Sequence, residues 1–229
     1  MIKTNNLNLK ALRIKVGISQ ADIAKRLEIS RPSYIFLEQG RRELSLFEAK
    51  KLSDLFGISL QELEMGVIPM YGKYKEMILA FIRSAGSSRD GKLPKTKLAK
   101  LLYLADFAWF YDHFQSMSGM QYRRLQYGPV PDIYFRAIDE LEQEGCIAID
   151  RSKDGVILIG ENRGSQRQNF IELSKAEQKL IEDIAKKWKE KKTQEIVNFT
   201  HNQLPYRLCV PDEVIPYELI IQEDPEYVY

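Results

Sequence analysis

Two cysteines, two histidines and two tryptophans are all that this 229-residue chain has of those residue types. Cys146 and Cys209 lie far apart, at no spacing that suits a metal or a disulfide framework, and read as reduced thiols. His113 and His201 each stand apart from any cysteine, so the usual zinc spacings are missing. No apolar run approaches the roughly 18 residues of a membrane span. The opening Met1-Ile2-Lys3-Thr4-Asn5-Asn6 has no apolar signal segment. These absences predict a cytoplasmic protein without a membrane partner. The loop at 84–91 has glycines but not P-loop spacing, and no Gly-Lys-Ser/Thr follows it. There is no nucleophile elbow, dinucleotide loop or kinase set either. Asp139 beside Glu140 belongs to a charged helix surface. Enzymatic activity, a cofactor and a metal are therefore not expected.

What is present is ordinary in bulk and uneven in placement. Hydrophobic residues make up 44% and charged residues 29%, as in a globular protein, and the net charge of +2 points to no partner. Residues 1–42, however, hold nine Lys/Arg against three Asp/Glu, while 209–229 hold six acids and no base. A basic head and an acidic end suggest separate tasks. The length allows two small domains.

The first 66 residues read as five short, well-punctuated helices. Leu9, Leu12 and Val16 give the first an apolar stripe, and Gly17 stops it. Ser19 can cap the second, which carries Ile23, Ala24 and Leu27 inward; Ser30 can cap the third, with Pro32 in its first turn and Gly40 beyond its end. Ser45 with Glu48, and Ser59 with Glu62, are capping boxes for two more. The link Glu28-Ile29-Ser30 is short enough to force a steep crossing of helices two and three. The third then projects as a ridge that suits a DNA major groove.

Ser19-Gln20-Ala21-Asp22-Ile23-Ala24-Lys25-Arg26-Leu27, Ile29-Ser30-Arg31 and Leu37-Glu38-Gln39-Gly40 closely resemble the Cro/repressor-type helix-turn-helix, the XRE family. The resemblance implies a five-helix lambda-repressor-like fold and binding to double-stranded operator DNA as a homodimer. It also implies roles. Gln20 would bond a backbone phosphate, and Arg31, Pro32, Ser33 and Phe36 would face the groove floor, with Arg31 the candidate reader of a guanine edge. Arg41 and Arg42 would grip phosphate, and Arg13 with Glu38 would form a structural ion pair. Glu28 stands where the family often has Gly. Ile35 and Phe36 depart from the family's polar outward positions: either Phe36 meets a thymine methyl, or protein covers this surface.

The remainder reads as an α+β domain of several helices with a small β-hairpin or sheet, at 75–222, after a linker at 67–74 and before an acidic tail at 223–229. Residues 94–115 make a long helix with two apolar stripes, one of them Tyr103, Phe107, Phe110, Tyr111 and Phe114. Such a helix is either buried on two sides or offers one stripe to a partner. Residues 121–126 suggest a strand, and Tyr127-Gly128-Pro129-Val130-Pro131 a rigid turn after it. Asp132 can cap a helix ended by Gly145. Residues 146–150 and 156–159 flank Lys153-Asp154-Gly155 as a β-hairpin. Ser174 with Glu177 opens a lysine-rich helix to about Lys192, and another short helix spans 193–204. Asp106, inside the apolar helix, is either a buried hydrogen-bonding anchor or an exposed charge.

Leu98-Ala99-Lys100-Leu101-Leu102-Tyr103-Leu104-Ala105-Asp106, Tyr127-Gly128-Pro129-Val130-Pro131 and Glu213-Val214-Ile215-Pro216-Tyr217-Glu218 resemble the Panacea domain of SocA-like and GepA-like proteins. That resemblance implies an antitoxin that neutralises a small protein toxin encoded nearby, with the attached head repressing its own operon. Tyr103, Phe107, Phe110, Tyr111, Tyr127, Pro129 and Pro131 are the candidate toxin contacts. The competing expectation is a phage-type or ligand-responsive repressor whose second domain dimerises or senses a ligand.

Overall fold

The computed structural model describes residues 6–15, 18–56, 60, 63, 70–152, 154–167 and 169–229, and it divides into units 1–69 and 70–229, each with its own hydrophobic core.

In the first unit the helices are α1 (Asn6–Lys15), α2 (Gln20–Leu27), α3 (Arg31–Glu38) and α4 (Leu46–Phe56). Side-chain oxygens start them where expected. Ser19 Oγ accepts from the Asp22 amide, Ser30 Oγ from the Ser33 amide, and Ser45 exchanges both capping-box bonds with Glu48. A Ser cap contributes ~1 kcal/mol. Leu9, Leu12, Ile23, Leu27, Tyr34, Leu37 and Leu52 form the core, closed by Ala24 and Ala49. Between α2 and α3, Glu28 takes the left-handed conformation (φ 60°, ψ 36°), and its amide closes onto Lys25 O. A family glycine at that position would adopt it without strain. The expected signals at Val16, Gly17, Gly57, Ser59, Glu62 and Gly66 lie outside the described residues, though Leu63 is in the core.

The second unit is organised around one helix. The helix α5 (Tyr71–Ala85) leads through β1 (Leu93–Pro94) into α6 (Lys95–His113), which is buried without a break from Lys97 to Ala108. Around it lie α5, α8 (Lys175–Trp188), α9 (Thr193–Asn202) and a 3-10 turn at Tyr217–Gln222. Of the two readings of its aromatic stripes, burial on both sides holds as far as Ala108; beyond it Phe110 and Tyr111 are half-buried and Phe114 is exposed. β4 (Ile147–Arg151) and β5 (Ile157–Glu161) form the expected hairpin, and β1 adds to the far edge of β5. The remaining helices are α7 (Tyr134–Gln143) and the short α10 (Leu204–Leu208).

Several expectations are corrected. Tyr71 to Tyr74 are not linker: they form the first turn of α5, with Tyr74 fully buried. The block from Gly128 to Pro131 is a strand, β3, paired antiparallel with β2 (Tyr122–Leu125) across the two residues Gln126 and Tyr127. Prolines are tolerated there for a specific reason. Tyr122 and Arg124 turn their backbone groups the other way: Ile215 N–H donates to Tyr122 O, Asp212 N–H to Arg124 O, and Arg124 N–H to Glu213 O. Their opposite numbers in the register, Pro131 and Pro129, therefore need no amide. Asp132 does not cap α7; its carboxylate pairs with Arg123 at 2.8 Å. The lysine-rich helix stops at Trp188 and not at Lys192, where the Lys97 ammonium takes up the Lys189 and Lys191 carbonyls. The acidic end is not a solvated tail. Pro225–Tyr227 form a 3-10 turn, Val228 is buried, and the Gln203 amide donates to the Tyr227 and Val228 carbonyls.

Candidate functional site

In the first unit, α3 buries Tyr34, Leu37 and Glu38 and turns Arg31, Pro32, Ser33 and Phe36 outward. Phe36 is 44% exposed, a large apolar ring left in solvent on that ridge. One carboxylate holds the ridge at its angle. Glu38 takes the Arg13 Nε–H at 2.6 Å and the Gln20 amide at 2.8 Å, tying α1 and α2 to α3. Burial works against its charge, but Arg13 and Gln20 prevail and keep its pKa below the usual carboxylate range. The Arg13–Glu38 pair is the ion pair expected. The Gln20–Glu38 bond has no signal in the sequence, because a first-turn Gln does not by itself indicate a partner on another helix. Arg31 lies beside Gln20, its Nη2 3.5 Å from Gln20 Oε1.

The two arginines beyond α3 part company. Arg41 is exposed, whereas Arg42 donates to Glu48 at 2.7 Å and so locks the start of α4. Lys10, Lys25, Arg26 and Lys50 are exposed as well, so the unit keeps a basic surface after its ion pairs are formed. Among the described residues this face carries no cluster of ligands for a metal.

In the second unit the seven candidate contact residues scatter. Tyr103 and Phe107 are fully buried, ringed by Tyr122 and Tyr217, and Pro129 and Pro131 are buried in β3. These four are corrected from contact residues to core, since an aromatic stripe alone does not distinguish a core from an interface. Phe110 and Tyr111 are half-buried. Tyr127, at the tip of the β2–β3 hairpin, is 72% exposed.

Two buried charges in this unit stand out. Asp106 is the anchor: it accepts from the Ser118 amide at 2.6 Å, the Ser118 hydroxyl, and the Tyr122 hydroxyl at 2.7 Å. Burial nonetheless pushes its pKa up to about 6 against those donors. Lys100, read only as part of a motif, is 99% buried by its surroundings, donating to the Pro129 carbonyl at 3.1 Å. Desolvation lowers its pKa to about 7. His201 stacks on Tyr206 at 4.4 Å with its Nε2 buried, and burial and the nearby Lys100 hold its pKa down. Lys100 and His201 both meet the backbone at Gly128. Its φ is +98°, and a Cβ there would come within 2.8 Å of Lys100 Nζ and 2.9 Å of His201 Nε2. Only glycine leaves room for them.

Two family matches fall on the two units in order. Residues 9–63 match the helix-turn-helix family, and residues 98–205 match the family described as antitoxin SocA-like, Panacea domain. No curated protein and no solved structure matches the chain.

Proposed function

We propose that this chain, a helix-turn-helix domain followed by a SocA-like Panacea domain, is an antitoxin that neutralises a small protein toxin encoded beside it and represses its own operon. The observation that carries the reading is the pairing of an exposed recognition ridge, on a unit with exposed cations, with an antitoxin-like body on one chain. In the head, Arg31 reads a base edge, and Pro32, Ser33 and Phe36 line the groove. Arg41 meets phosphate directly, while Arg42 and Gln20 reach phosphate only if they exchange their partners Glu48 and Glu38. One such head covers a small interface, so a cytoplasmic homodimer on a two-fold operator is the working form. Among the candidate toxin contacts Tyr127 is the exposed one and the place to begin mapping the toxin surface.

Two assays test this. In the first, the full chain is titrated onto its upstream promoter fragment at rising salt. Specific binding that weakens with salt supports the reading, and no binding at low salt removes the DNA half. Arg31→Ala is expected to lose about 1–3 kcal/mol at one base position, against a uniform loss across sequences for Arg41→Ala. In the second, the neighbouring small reading frame is expressed with and without this chain. A frame that is harmless alone, or that stays toxic in company, removes the antitoxin half.

A further inference from the structure

A cavity of about 510 Å³ opens on the second unit, where the start of α6 faces the β2–β3 hairpin, the start of α7 and the tip of the β4–β5 hairpin. That volume lies within the range of about 300–1,000 Å³ that suits small-molecule sites. Three large apolar side chains stand around it in solvent: Tyr127 at 72%, Phe135 at 52% and Val156 at 46% exposure. Apolar surface gathered at one opening marks a binding site more often than chance exposure does.

The wall also carries charge without a counter-charge. Lys100 lines the cavity, is 1% exposed and donates to one neutral carbonyl, that of Pro129. Among the described residues no carboxylate forms an ion pair with it. Without an anion an amine in an apolar wall is held back from carrying its proton, as the Lys100 pKa of about 7 reflects, and a bound carboxylate restores the ammonium. Lys95 adds a second cation, its Nζ 4.9 Å from the Phe135 ring centroid. The first residues of α6, α7 and α9 (Lys95, Tyr134 and Thr193) all line the same cavity. Helix starts favour negative charge; that of α9 already holds the Glu195 carboxylate on its Lys192 amide, which leaves those of α6 and α7.

We propose that this cavity binds a small molecule with an apolar body and one carboxylate, the carboxylate meeting Lys100 and the body lying against Tyr127, Phe135 and Val156. A small molecule is favoured over a protein segment because Lys100 is reached only by a slender group entering the cavity. The proposal is independent of the antitoxin reading.

Decanoate and its neutral analogue decanol are the probes, titrated calorimetrically into the full chain. Decanoate is expected to bind more tightly than decanol. Lys100→Met should weaken decanoate about tenfold to a hundredfold, the worth of a hydrogen bond to a charged group, and leave decanol unchanged. Val156→Trp, which narrows the mouth, should weaken both. Circular dichroism and tryptophan fluorescence establish that each variant is folded. The proposal is overturned if decanoate fails to bind, or binds Lys100→Met as well as the parent. It is equally overturned if decanoate fails while a peptide with an apolar residue and a free C-terminal carboxylate binds, since the occupant is then a protein segment.

Discussion

Replacing Asp106 by Asn should change how the second unit's stability depends on pH, and the change has a defined sign. The carboxyl is fully buried, and its pKa in the folded chain is raised from 3.8 to about 6. Below the unfolded value both states are protonated, and the group takes nothing from stability. As pH rises from 3.8 to about 6 the unfolded chain gives up its proton first, so folding loses stability across that window and is level above it. A displacement of about two units corresponds to ~3 kcal/mol. Asn carries no such term. Its oxygen can keep the Ser118 amide, and one of the two hydroxyls can turn to accept from its NH₂. Relative to the parent, Asp106→Asn should therefore gain ~3 kcal/mol between about pH 4 and pH 7. Asp106→Ala, which leaves three buried donors without an acceptor, should lose at least ~3 kcal/mol throughout. Urea denaturation followed by tryptophan fluorescence is the assay. Trp109 and Trp188 are the chain's two tryptophans, and both lie in the second unit, so the signal reports that unit. A parent–Asn difference that stays constant with pH, or grows in the parent's favour, would refute the reasoning.

Three further outcomes follow from the same geometry. Gly128→Ala forces a side chain into a left-handed backbone beside Lys100 and His201 and should lower the stability of the second unit by about 1–3 kcal/mol in the same urea assay. Ser30→Ala removes the cap of α3 and should cost about 1 kcal/mol locally, seen as roughly fivefold faster hydrogen exchange of the α3 amides. Glu28→Gly relieves a positive φ at the helix-turn-helix link, while its exposed pair with Lys51 contributes little. It should slow amide exchange across α2 and α3, and faster exchange would show that the pair outweighs the strain.

Much of the first unit was legible because its signals are local. Ser19, Ser30 and the Ser45–Glu48 pair each act within three residues, and the structure uses all of them as caps. The same holds for Ser174 with Glu177 and for the β4–β5 hairpin. What the sequence hid depends on distant partners. Pro129 and Pro131 argue against a strand until Asp212, Glu213 and Ile215 are seen occupying the far edge of β2. The acidic end reads as solvated until the Gln203 amide is seen holding its carbonyls. Nothing in the sequence marks Lys100 as buried, since lysines are rarely buried without a partner. For the site, the exposed face of α3 was legible through the resemblance to the helix-turn-helix family, whereas the contact residues of the second unit were not, because aromatic spacing looks alike in a core and on an interface.

The central position of α6 also orders events while the chain is being made. Residues 18–56 contain the caps and most of the core of the first unit, all local in sequence. The helix α6 cannot be sealed until Tyr217, which stacks on Phe107 and Phe110, and Val228 have left the ribosome. A nascent chain thus completes its recognition ridge long before the other unit closes, and a translation stall past residue 70 would release a folded head attached to an unsealed body.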